Sequence, residues 1–129
     1  MADRTYCEVI CSKTDEAVFK ELGFEWAKDL TKKAVCMVNH EADGGNYERL
    51  LELSGQGYVF LAYHGQGSTF DPCAMVSDGK TFLDVLALEA GKPLLRTDEN
   101  GNTNPEDLVA AKRYRTAAKI VRKKLGLTP

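Results

Sequence analysis

KAVCMVNHEADGGNYERLLELSGQGYVFLAYH, residues 33–64, is the stretch whose reading decides the fold class. Its first limb runs through Ala34-Val35-Cys36-Met37-Val38 and closes on Asn39-His40, the pattern of a buried strand. Gly44 and Gly45 mark a loop. Asn46 is then placed to cap a helix carrying Tyr47, Leu50, Leu51 and Leu53, before a Ser54-Gly55-Gln56-Gly57 stop. The last limb, Tyr58 to Tyr63, is apolar on both faces, as an interior strand covered on two sides must be, and it ends on His64. The connection between the two strands holds a helix and is long enough for a crossover. The strands are therefore expected to run parallel, with their terminal histidines at one edge of the sheet.

Outward from this unit, residues 5–11 are rich in β-branched, aromatic and Cys positions and read as a first strand. Thr14 is a candidate cap for a short helix with Val18, Phe19 and Leu22 on its apolar side and Gly23 at its end. Phe24 to Leu30 suits a strand or a helix equally. Gly65 to Pro72 reads as a loop. Cys73–Val76 and Thr81–Leu83 form a hairpin about Asp78-Gly79, expected as a type I′ turn, and Val85–Ala90 is read as strand. Arg96 to Asn104 is a polar loop. Asn104-Pro105-Glu106-Asp107 combines a cap, a first-position proline and early acids, a strong helix start. The expectation is an α+β (or α/β) fold over residues 1–129 as one globular domain: a mixed β-sheet, two to four packed helices and a basic amphipathic C-terminal helix.

Charge is segregated along this chain. Residues 112–129 hold seven of the 17 Lys and Arg and none of the 19 Asp and Glu, so a body of formal charge −9 carries a tail of +7. On the last helix Ala110, Tyr114, Ala117, Ala118, Val121 and Leu125 make a narrow apolar stripe. Lys112, Arg115, Lys119, Arg122 and Lys123 then fall on the opposite side as candidate binding residues. Such a face suits an acidic protein surface or a phosphate backbone. The acidic body would repel a polyanion wherever it came close, which ranks a protein partner ahead of nucleic acid, with residues 112–124 the only stretch suited to the latter.

No apolar run approaches the roughly 18–20 residues that cross a bilayer, and Met1 to Thr5 do not begin a secretory leader, so a cytoplasmic protein without a membrane partner is expected. Cys7 and Cys11 on one strand would stand roughly 13 Å apart, too far to share a zinc ion. They and Cys36 are read as core thiols. The weak candidates for chemistry are His40 and His64 at their strand ends, with Asp71 and Cys73 nearby in sequence. Gly65-Gln66-Gly67-Ser68-Thr69 follows a strand but lacks the Gly-Lys-Ser/Thr ending of a nucleotide loop. No metal site and no cofactor are expected. The leading expectation is a non-enzymatic binding module acting through a macromolecular contact, of a size that suits an inhibitor or accessory factor. The alternatives are a small enzyme with a site at the His40/His64 edge and a nucleic-acid-binding protein using the basic helix.

Overall fold

The computed structural model describes residues 3–127. In chain order it contains β1 (Arg4–Ser12), α1 (Glu16–Glu21), β2 (Glu25–Asp29), β3 (Ala34–Asp43), α2 (Tyr47–Gly55), β4 (Val59–His64), β5 (Cys73–Asp78), β6 (Phe82–Glu89), β7 (Lys92–Pro93) and α3 (Pro105–Lys124). The strands form one sheet in the order β2-β3-β1-β4-β5-β6-β7, and every neighbouring pair is antiparallel.

The α+β class and the long basic C-terminal helix stand as expected, but the sheet is not mixed. β3 and β4 do run in the same direction. β1 lies between them and pairs antiparallel with both, so the crossover through α2 spans a strand and no parallel pair forms. The hairpin between β5 and β6 also differs in detail. Among its turn residues only Gly79 has positive φ, at 93°, which fits the first central position of a II′-like turn and not the two positive values that I′ needs.

Alternation along the strands, broken by register shifts in the β1–β3, β2–β3 and β6–β7 pairs, gives the sheet two apolar faces. On one, Cys7, Val9, Cys11, Val35, Met37, Phe60, Ala62 and Met75 pack against Phe19 and Phe24 and against Leu50 and Leu53 of α2. Phe19 meets Phe60 edge-on at 5.7 Å, and burying a ring of that size contributes about 1.5–3 kcal/mol. α1 ends where Gly23 takes φ 97°. Before it lies a 3₁₀ turn, Lys13–Asp15, capped by Ser12, whose hydroxyl accepts from the Thr14 N–H; the expected cap Thr14 lies inside that turn, and Asp15 at the head of α1 makes no side-chain cap bond.

On the other face, Leu61, Ala74, Val76, Val85 and Ala87 receive Tyr114, Val121 and Leu125 of α3. The helix stripe runs through Ala111, which is buried, and not through Ala110, which is exposed. α3 lies mainly over β4, β5 and β6, and its apolar cluster reaches Ala34 of β3 and Ile10 of β1. Its start behaves as the sequence requires: the Asn104 side chain accepts from the Glu106 and Asp107 N–H groups, with Pro105 at the first turn. Asp107 in turn accepts from Arg96 through its backbone N–H and both ends of its guanidinium, at 2.7–2.9 Å, tying the preceding loop to the helix. Among the described residues no helix is long and apolar enough to cross a membrane.

Candidate functional site

The long helix displays its cations as its stripe dictates. Lys112, Arg115, Lys119, Arg122 and Lys123 are all exposed. They do not form one patch. Arg115, Lys119, Arg122 and Lys123 border a groove of about 490 Å³ whose floor is Leu61, Tyr114, Ala118 and Leu127, and Gly91 of the β6–β7 turn closes its far side. Lys112 lies on the opposite flank of α3, beside a separate hollow with Leu83 and Ile120. Lys124 is held in the fold, donating to the Asp78 carbonyl at 3.1 Å.

A smaller hollow continues from the groove across Leu61 and Tyr114 to Ile10, Tyr63 and Glu8 on the sheet. The Glu8 carboxyl is pushed above its usual range by burial, an effect that Lys28 partly offsets. Its Oε2 lies 4.0 Å from the Cys36 thiol. Thus the groove is apolar at its base, cationic along the helix and carries one half-buried carboxyl at its sheet end. Glu8 and the turn at Gly91 were not singled out from sequence, because only the β1–β4 register and the reach of the β6–β7 hairpin bring them to α3.

The histidines do not share a site. Cys7 of β1 pairs with His64 on one side and Asn39 on the other, and directly opposed residues point to one face of a sheet. His40, next to Asn39, therefore leaves by the other face, where its exposed ring meets Tyr6 at 5.6 Å. The expected His40/His64 edge site is not formed: the two residues stand at one end of the sheet but on opposite faces.

His64 instead joins the other two sequence candidates. A cavity of about 620 Å³ is lined by His64, Asp71 and Cys73 together with Phe70, Tyr47, Arg49 and Asn46. Cys73 faces His64 directly across the β4–β5 pair. The His64 ring is 3% exposed, packs edge-on against Phe70 at 5.0 Å, and its Nδ1 lies 2.9 Å from the Gly65 carbonyl. A carbonyl only accepts, so Nδ1 carries a proton toward it. Gly45 is required beneath it: with φ 67°, a Cβ there would stand 2.4 Å from the ring. Tyr47 donates to Asp84 at 2.5 Å, and that bond, with burial, pushes its phenol up to about 12.

This pocket is poor in activated groups. Burial, reinforced by Asp84, pushes the Cys73 thiol up to about 12, so little thiolate exists at neutral pH. Among the described residues no three His, Cys, Asp or Glu side chains are gathered to hold a metal ion. The glycine-rich loop is also accounted for. Its Ser68 and Thr69 N–H groups, at 2.9 and 2.7 Å, and the Thr69 hydroxyl donate to the carboxylate of Asp3, so the chain's own anion takes the place a phosphate would need. No family model, curated protein or solved structure matches this chain, so what the sites do is read from their geometry alone.

Proposed function

We propose that this protein is a binding module that seats an acidic, amphipathic segment of a protein partner in the groove between α3 and the β6–β7 turn. The observation that carries the reading is the pairing of an apolar floor (Leu61, Tyr114, Ala118, Leu127) with a rim of Arg115, Lys119, Arg122 and Lys123. Apolar anchors on the partner would fill the floor and supply affinity, while its acids would meet the rim and set orientation and association rate. Nucleic acid fits less well. Single strands are held by stacking on exposed rings, and the ring in this groove, Tyr114, is only 3% exposed. The body outside residues 112–129 carries −9, which would repel a polyanion beyond the rim. A non-enzymatic role is supported by the high thiol of Cys73 and the separation of His40 from His64. Burial of Cys7, Cys11 and Cys36 in the core accords with a cytoplasmic setting.

The test is a fluorescence-anisotropy titration of a short acidic peptide with leucines at helical spacing, beside a peptide of the same leucines with glutamines for acids and a thymidine oligonucleotide. The acidic peptide should bind best. The combined change Arg115→Glu, Lys119→Glu and Lys123→Glu should weaken it by about 10-fold or more with unchanged thermal unfolding. Preference for the oligonucleotide would transfer the site to the nucleic-acid reading, and indifference to the three reversals would remove the groove from the binding surface.

A further inference from the structure

We infer that the groove of α3 reads its partner with two opposed charges: Glu8, in the hollow that continues from the groove onto β1, takes a lysine that the same acidic segment carries on the flank turned away from α3. This rests on the groove reading proposed above, and it adds the feature that tells one acidic helix from another.

The charge of Glu8 has no counterpart inside the fold. Its carboxyl enters none of the ion pairs of the described residues. The side chain's hydrogen-bond contact is the Cys36 thiol, a weak donor, at 4.0 Å. The directly opposed residues on the neighbouring strands, Val38 of β3 and Tyr63 of β4, offer nothing stronger. Val38 is apolar, and the Tyr63 hydroxyl proton goes to the Leu88 carbonyl at 2.8 Å. All three side chains are half-buried, so the carboxyl is reachable from outside but poorly solvated. Burial penalises its charge and Lys28 offsets only part of that, so a cation seated in the hollow would remove the penalty.

Groove and hollow are one surface, because Leu61, Gly91, Tyr114 and Arg122 line both. The hollow measures about 110 Å³, room for the end of one side chain. A segment lying along α3 on the Leu61 floor therefore meets Arg115, Lys119, Arg122 and Lys123 on one flank and a carboxyl on the other. Turned about its axis, the same segment would set like charges against each other on both flanks. The arrangement thus rejects the wrong charge pattern as well as attracting the right one.

The experiment is a fluorescence-anisotropy titration of the whole protein with two peptides of identical composition, each with leucines at helical spacing and acids along one flank. In the first, a lysine sits on the flank opposite the acids and a glutamine among them; in the second, these two residues are exchanged. The first peptide should bind about 5-fold or more tightly, and Glu8→Gln, which keeps the shape of the side chain without its charge, should bring the two within about 2-fold. The combined change Arg115→Glu, Lys119→Glu and Lys123→Glu should weaken both peptides and leave the preference between them in place. Equal affinities for the wild-type protein, or a preference that survives Glu8→Gln, would overturn the inference while the groove reading stands. Indifference of both peptides to the three reversals would remove the groove reading and this inference with it.

Discussion

His40 and His64 leave the same end of the sheet from opposite faces, because β1 runs between their strands and pairs its Cys7 with Asn39 on one side and His64 on the other. The two imidazoles therefore have different stability roles. His64 fills space between Gly45 and Phe70, whereas His40 is exposed. His64→Ala should cost about 2–4 kcal/mol in urea unfolding, as a buried ring truncation does, and His40→Ala less than about 0.5 kcal/mol. Equal effects would contradict the two-face placement.

Two carboxylates make the fold acid-sensitive. Thr69 and Ser68 hold the Asp3 carboxyl at about 2, and Arg96 holds that of Asp107 at about 2. A depressed folded value stabilises above the unfolded value near 4 and is lost as pH falls through about 2. Between pH 5 and 2, hydrogen exchange at the Ser68 and Thr69 amides should accelerate relative to β1 amides, after correction for intrinsic rates. Asp3→Asn should show fast exchange at both amides already at pH 5. Unchanged protection across that range would remove Asp3 as the anchor of the glycine-rich loop.

Glu8 works in the opposite sense. Its carboxyl is raised by burial, so its protonated form suits the fold, and its contribution is present at low pH and lost as pH climbs through the raised value. Because the side chain is only half-buried, solvent keeps the effect small. Glu8→Gln should raise Tm at neutral pH by roughly 1–3 °C and leave it nearly unchanged at pH 4. A drop at neutral pH would mean that Glu8 is held by its attraction to Lys28 and not opposed by burial.

What could be read from the chain follows local chemistry. β1, β3, β4 and the β5–β6 hairpin carry continuous or alternating apolar runs, and α3 carries its cap, its proline and its charge pattern within a few residues. β2 was ambiguous because it is an edge strand with all five residues exposed, Trp26 among them at 55%, so no burial alternation marks it. Strand order was not legible: nothing near residues 33–64 indicates that β1 inserts between the two strands, and that insertion separates His40 from His64. Asn46 reads as a cap, but the two glycines before it rotate it into the left-handed region and remove its side chain from that role. The cations of α3 were legible as an exposed face. The groove beside them was not, because its floor and far wall come from Leu61 and Gly91, distant in sequence.

The binding account is tested most directly by following the ¹⁵N-resolved amide resonances of the intact protein as the acidic leucine peptide is added. The account predicts saturable shifts at Ala118, Lys119, Leu127 and Gly91, which border the groove, with Gly45 and Asn46 on the opposite face unmoved. Raising the salt should weaken the peptide, since its acids meet a solvent-exposed rim. Shifts confined to the β2 edge around Trp26, or to the Asn46 cavity, with the groove silent, would contradict it.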